Sequence, residues 1–193
     1  MPELSRRERK KKETYEKLFS CAMQLFRAQG YSATSVEQIT QAADVGKGTF
    51  YNYFSSKEGV VQEYAQRAYQ DMLSARRNKP SHNTRQRLET LLSDWACFMM
   101  NDREIAWVTV RNREGAEYDV SLHYGIQAII SLGQTEGEIS KQFGADFLAE
   151  SIEGMMLQHF ISWYVTGEGN LVDEMNKVVA VFLDGLSQLR HKA

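Results

Sequence analysis

Two cysteines and two prolines in 193 residues leave little with which to staple or break this chain. Cys21 and Cys97 are far apart and form no CxxC, so a disulfide framework and a dithiol redox pair are both unsupported. Each is expected to be a buried packing residue in a reducing compartment. With Pro2 and Pro80 as the only prolines, breaks between helices must come from Gly, Asn and Asp. No apolar run approaches the ~18 residues that would cross a bilayer, so no membrane association is expected. The start, MPELSRRERKKKE, is charged and lacks the apolar segment of a signal peptide, and a cytoplasmic location is the expectation.

Chemistry-bearing patterns are equally scarce. His82, His123, His159 and His191 are scattered, with no HExxH and no Cys/His spacing, so no metal and no cofactor are expected. Gly46-Lys47-Gly48-Thr49 superficially resembles a phosphate loop. The spacing GxxxxGK[ST] would need Gly at 41, where Gln41 stands, and the preceding segment is helical rather than a strand. No nucleophile sits in a recognisable elbow, and the chain is not expected to be an enzyme.

What is present is a soluble globular composition, 42% hydrophobic and 25% charged, in a length that allows one domain or a small one fused to a larger. The formal net charge of −2 is unevenly divided: residues 1–60 carry 10 Lys/Arg against 7 Asp/Glu, and residues 61–193 carry 13 against 18. A basic end joined to an acidic body fits a nucleic-acid reading head on a carrier, although a surplus of three is modest.

Ser35 to Lys57, SVEQITQAADVGKGTFYNYFSSK, reads as two short helices across a tight turn and the start of a third. Ser35 is a good N-cap because its hydroxyl can accept from otherwise unpaired first-turn amides, and Val36, Ile39 and Ala43 follow at helical spacing. Asp44, Val45 and Gly46 break the pattern, with Gly46 suited to an unusual backbone angle. A second helix is expected over 47–54. With Phe50 as the inward reference, Phe54 shares its side, Gly48 and Asn52 point away, and Thr49 and Tyr51 flank them. Such a face suits a major groove: short polar groups reach base edges, Lys47, Lys57 and tyrosine hydroxyls reach phosphates, and Gly48 lets the backbone come close. Many three-helix units expose a polar face, so the spacing alone leaves DNA binding open.

The fuller string is more specific. VGKGTFYNYFSSKEGV, together with LFRAQGYSATSVEQI before it, resembles the signature of TetR-family transcriptional regulators over roughly Tyr15 to Val61. The resemblance implies that Lys47, Thr49, Tyr51, Asn52, Tyr53 and Lys57 stand where family members touch bases or phosphates, and that Ser35 opens the first helix of the motif. Gly46 stands where the family often has Ser, which removes one phosphate hydroxyl. Asn52 occupies a variable position, so no operator can be carried over.

Around the motif the chain reads as helices. Arg6, Arg7, Arg9, Lys10, Lys11 and Lys12 form a basic run that either lies along DNA phosphates or the minor groove, or is a solvated, frayed terminus. From Thr14, the residues Tyr15, Leu18, Phe19, Ala22, Leu25 and Phe26 trace one helical face that Gly30 stops. Ser55 and Glu58 suggest a capping box opening a helix to about Arg77, and 78–84 reads as a linker. Further helices are expected near 85–100, 103–110, 118–135, 143–165 and 171–189.

The last two are apolar on more than one side, and a helix apolar on two sides must bury both. Either the body has a thick monomeric core or a second copy covers the extra face. Phe147, Ile152, Gly154, Phe160, Met175, Val179, Phe182, Gly185 and Leu186 are the candidate interface of a four-helix dimer bundle, and dimerisation through the final two helices is what the resemblance implies. Trp95, Phe98, Met99, Trp107, Arg111, Tyr118, His123, Tyr124, Met155, His159 and Trp163 are candidates to line a pocket for a small hydrophobic or amphipathic effector.

The expected architecture is therefore all-α: a helix-turn-helix DNA-binding head at 1–56 and a helical effector-binding and dimerisation body at 57–193. Its expected partners are a double-stranded operator, a small-molecule effector and a second copy, with an effector-released repressor as the expected function. An architectural DNA-binding protein without effector, and an enzyme using the body, stay open as rivals.

Overall fold

The computed structural model describes residues 5–76, 83–111 and 117–187, and every regular element among them is a helix. In chain order these are α1 (Arg6–Gln29), α2 (Val36–Ala42), α3 (Lys47–Tyr51), α4 (Lys57–Arg76), α5 (Thr84–Asn101), α6 (Arg103–Arg111), α7 (Glu117–Thr135), α8 (Ala145–Thr166) and α9 (Leu171–Ser187). The chain divides into two compact units, Met1–Tyr64 and Ala65–Ala193. The expected linker lies largely outside the described residues.

The head is closed by local signals. Ser5 caps α1 with a full capping box: its Oγ accepts from the Glu8 amide, and the Glu8 carboxylate accepts from the Ser5 amide at 2.8 Å. That start corrects the expectation of a helix beginning near Thr14, because the basic run is the first two turns of α1. Gly30 ends the helix at φ 90° with its N–H on the Phe26 carbonyl, a backbone angle that suits a residue lacking Cβ. Ser35 and Gln38 form a second capping box on α2.

The turn between α2 and α3 differs from the sequence reading. Val45 donates to the Thr40 carbonyl and Asp44 to the Gln41 carbonyl, the paired 6→1 and 5→2 bonds of a Schellman motif. The left-handed residue is Asp44 at φ 52°, whereas Gly46 is extended at φ −76°. Short polar Asp tolerates that region because its side chain can bond locally. On the next helix the cap is Ser56 rather than Ser55, its Oγ accepting from the Gly59 amide.

Leu18, Ala22, Phe26, Ile39, Ala43, Phe50, Phe54, Val60 and Val61 are buried in the head. Their aromatic members touch: Tyr15 stacks on Phe54 at 5.1 Å, and Phe50 meets Phe54 at 5.6 Å.

The body buries a second core in which α5 packs on α9 and α7, and α8 on α7 and α9. Leu88, Leu91, Leu92, Trp95, Met99, Ile126, Ile130, Ile152, Phe160, Met175 and Val179 belong to it. Helix α7 comes close enough to its neighbours that a Cβ on Gly125 would lie 2.5 Å from the Tyr69 hydroxyl. At the end of α8, Gly167 takes φ 70° and returns its N–H to the Trp163 carbonyl. Both cysteines are free, and Cys97 is exposed while Cys21 is half-buried. The expectation of two buried cysteines fails because position 97 falls on the outer side of α5. Among the described residues no helix is long and apolar enough to cross a membrane, and no cluster of His, Cys, Asp and Glu is arranged to hold a metal.

Candidate nucleic-acid interface

Helix α3 separates its two sides sharply. Phe50 is wholly buried and Phe54 nearly so, while Tyr51 is 54% exposed and Lys47, Gly48 and Asn52 are open to solvent. Thr49 and Tyr53 are half-buried at the edges. A Cβ placed on Gly46 or Gly48 would meet nothing, so neither glycine is needed for packing inside the head. The helix is five residues long, shorter than the expected 47–54; Tyr53 and Phe54 complete its last turn by donating to the Phe50 carbonyl at 2.9 Å each.

The cations at the edges have protein partners. Lys47 forms an ion pair with Glu37 of α2. The Glu37 hydrogen bond holds the lysine above its ordinary pKa, and the same bond holds Glu37 below its own. Lys57 turns inward: its Nζ donates to the carbonyls of Tyr31 at 2.7 Å and Thr34 at 2.8 Å, and lies 4.2 Å from the Tyr31 ring centre. The sequence reading put this ammonium at the rim as a phosphate donor. In the folded head it ties α4 to the loop before α2, adding a second donor to the Tyr31 carbonyl, which also accepts from the Thr34 amide at 3.2 Å, and a donor to the Thr34 carbonyl. Ser35 is likewise occupied as a cap, with its Oγ 3.2 Å from the Gln38 amide.

Beside α3 lies a groove of about 410 Å³ lined by Arg7, Lys10, Lys11 and Thr14 of α1 and by Asn52 and Tyr53. An adjoining groove adds Glu8, Lys12 and Tyr15. Tyr53 is held there by its ring contact with Tyr15 at 5.9 Å. Sequence reasoning left this basic run open between a phosphate-binding arm and a frayed terminus, and it missed Glu37. The signal for the wall was Ser5-Arg6-Arg7-Glu8, a capping box that places the cations on a helix.

In the body the expected pocket residues fall into two groups. Trp95, Phe98, Met99, Trp107, Met155 and Trp163 belong to one apolar cluster, with Trp107 stacked on Tyr164 at 4.6 Å. Arg111 and Tyr124 are exposed. His123 bridges Asp146 at 2.9 Å and Glu153 at 3.1 Å on α8, and His159 meets Glu174 of α9 at 3.0 Å. Partial burial pulls the His123 pKa down, but its bonds to Asp146 and Glu153 outweigh that and raise it above the ordinary value. The Tyr118 side chain lies outside the described residues.

The candidate dimer face needs correction. Ile152, Phe160, Met175 and Val179 are wholly enclosed by their own subunit and Phe182 nearly so, because they form the stripe with which α8 and α9 meet each other, α5 and α7. The outer faces carry Phe147 at 57% exposed, Val165 at 72% and Val181 at 66%, with Gly154 and Gly185 also exposed. The Leu186 side chain lies outside the described residues.

Comparison with known proteins bears on the head first. Residues 18–64 match the family described as bacterial regulatory proteins, tetR family. TcmR of Streptomyces glaucescens, an HTH-type transcriptional regulator, is 47% identical over 55 residues, 28% of this chain and 24% of that one. DhaR of Mycobacterium sp. (strain GP1), an HTH-type transcriptional repressor, is 45% identical over 49 residues, 25% of each chain. The aligned segment thus spans about a quarter of the length of these relatives. The fold over most of the chain is similar to that of Thermus thermophilus FadR, solved with lauroyl-CoA (TM-score 0.74, 19% identity, 89% of this chain and 94% of that one). It is also similar to Bacillus subtilis FadR, solved with stearoyl-CoA (TM-score 0.70, 21% identity, 89% and 98%).

Proposed function

We propose, from the premise that residues 18–64 make this chain a TetR-family transcriptional regulator, that it is a ligand-responsive, DNA-binding repressor acting as a homodimer in the cytoplasm. The observation that carries this reading is the division of α3: Phe50 anchors the helix in the head core while Gly48, Tyr51 and Asn52 face outward, with Thr49 half-buried at their edge. A rigid helix with short polar groups on its free side can enter a major groove and reach base edges. Thr49 and Asn52 are assigned to bases, and Tyr51, Tyr53 and Lys47 to phosphates. Ser35 supports the interface by fixing the start of α2, and Lys57 supports it through the bonds it makes to Tyr31 and Thr34.

The dimer is supported by the outer faces of α8 and α9. Large apolar side chains exposed there, Phe147 and Val181 among them, gain by being covered, and exposed Gly154 and Gly185 allow a second copy to approach closely. Two heads then read half-sites in successive major grooves, about 34 Å apart.

The effector is an amphipath with a long apolar chain, such as an acyl thioester of coenzyme A. Its support is the similarity in fold to the two acyl-CoA-bound regulators and the apolar cluster of Trp95, Phe98, Met99, Trp107, Met155 and Trp163 in the body. Helix α4 belongs to both units, Lys57–Tyr64 to the head and the remainder to the body. A ligand that prefers one arrangement of the body shifts the population by its difference in affinity for the two states, and by no more.

The test is an anisotropy titration against duplexes recovered from genomic DNA. Asn52→Ala and Thr49→Ala are expected to change which recovered sequences bind best, and Tyr51→Phe to weaken all of them alike. Micromolar lauroyl-CoA is expected to release the complex. Variants indistinguishable from wild type would overturn the reading face, and indifference to acyl thioesters of every chain length would overturn the effector class.

A further inference from the structure

We infer that the first two turns of α1 form a second DNA-binding element, a phosphate-gripping wall that lies against the backbone beside the groove entered by α3. This deepens the DNA-binding reading above and rests on it.

Of the cations the sequence points to, the two within the helix-turn-helix motif are already engaged. Lys47 is paired with Glu37, and Lys57 donates to two carbonyls. A phosphate approaching either must displace or share an existing partner, and the exchange returns little net affinity. Arg7, Lys10 and Lys11 differ. All three are exposed, and among the described residues none has an acidic partner. They stand at i, i+3 and i+4 of one helix, and Thr14 continues the stripe at i+7, so all four line one face. That face forms one wall of the groove of about 410 Å³, and Asn52 and Tyr53 at the end of α3 form the other.

The geometry suits a phosphodiester chain. The wall is helical rather than a loose arm, because the Ser5–Glu8 capping box fixes its first turn, so the side chains start from a defined ridge and lose less freedom on binding. Glu8, on the first turn of α1, bonds the Ser5 amide at 2.8 Å; its charge thereby serves the positive end of the α1 dipole. Across the groove Tyr53 is braced by Tyr15, leaving its hydroxyl and the Asn52 amide to donate to the same strand that the cations neutralise. An uninterrupted anionic strand is the ligand class that fits a row of three cations facing two neutral donors. Contacts of this kind carry no sequence information, and they set affinity and its dependence on salt.

The experiment uses the full chain and a short duplex of random sequence, following log Kobs against log[KCl] between about 50 and 300 mM. Each phosphate contact contributes about 0.9 to the slope, so Arg7→Gln/Lys10→Gln/Lys11→Gln is expected to flatten it by about 2.7 for every head in contact. Gln is nearly as good a helix former as Lys and Arg, so α1 should persist, and far-UV circular dichroism checks this. Should the triple variant lose helix, Lys10→Gln and Lys11→Gln singly are each expected to flatten the slope by about 0.9 per head. Arg7→Lys/Lys10→Arg/Lys11→Arg, which keeps the charge, is expected to keep the wild-type slope. A wild-type slope in the folded Gln variants, with wild type itself binding normally, would overturn the α1 wall and leave the α3 reading standing. Wild type failing to bind duplex at all would overturn both.

Discussion

Replacing Lys57 with Met separates a structural lysine from a phosphate-binding one. The side chain keeps its length and loses the ammonium, so the Tyr31 and Thr34 carbonyls lose donors at 2.7 and 2.8 Å. A hydrogen bond from a charged donor contributes about 1.5–3 kcal/mol when well made, and the ammonium over the Tyr31 ring adds about 0.5–1 kcal/mol. The Tyr31 carbonyl keeps the Thr34 amide as a donor at 3.2 Å, which brings the expected cost to about 2 kcal/mol, or about 30-fold in a local opening equilibrium. Hydrogen exchange on the full chain reads this directly in peptides spanning Tyr31 to Ala43, whose amides should exchange about 30-fold faster while those of α7 to α9 stay as in wild type. Protection within about threefold of wild type, together with a flatter salt slope on DNA, would show that Lys57 serves phosphate alone and refute the tether.

Other consequences can be measured alongside. Glu37→Gln releases Lys47 from its ion pair and removes a negative charge beside the face proposed to meet DNA. Affinity for random duplex at low salt should rise about threefold to tenfold, an effect that fades as salt screens it; unchanged or weaker binding would show that Glu37 does not restrain Lys47. Gly125→Ala places a methyl 2.5 Å from the Tyr69 hydroxyl inside the body core and should destabilise the body by about 1–3 kcal/mol, seen as a lower denaturation midpoint. No change would mean that the Tyr69 ring or α7 yields without cost. His123 has a folded-state pKa raised above its ordinary value by Asp146 and Glu153 acting against partial burial. Its bridge between α7 and α8 therefore contributes in full below about pH 6.5, and the contribution is lost as pH rises through the raised pKa. His123→Gln should flatten that part of the stability profile, and an unchanged profile would remove the bridge from the account.

How much of this was legible in the sequence depended on whether the cause was local. The two helices around Asp44, the inward Phe50 and Phe54, and the Ser35 cap all follow from residues within a turn or two of one another, and each is found in the structure. The basic run was harder, because six cations in seven positions mask helical periodicity; only Ser5 and Glu8 mark the start of α1. Placing the positive φ at Gly46 followed residue preference, and Asp44 overrode it through two backbone bonds that close the Schellman turn.

Contacts between distant residues were out of reach. Nothing near Lys57 in the chain announces that Tyr31 and Thr34 hold its ammonium, and nothing near His123 announces Asp146 and Glu153. The outer faces of α8 and α9 failed for another reason. Apolar residues line nearly the whole circumference of α8, so periodicity cannot say which stripe meets its own subunit, and Ile152 and Phe160 proved to be core while Phe147 did not.

The most direct test of the central claim is selection of DNA by the intact protein from a pool of random duplexes, repeated with Asn52→Ala. If the outward face of α3 reads bases, wild type should enrich a two-part motif whose inverted halves lie about one helical turn apart, and the variant should enrich the same spacing with altered preference at matching positions of both halves. Enrichment of no motif, or of one identical motif by both proteins, would contradict it.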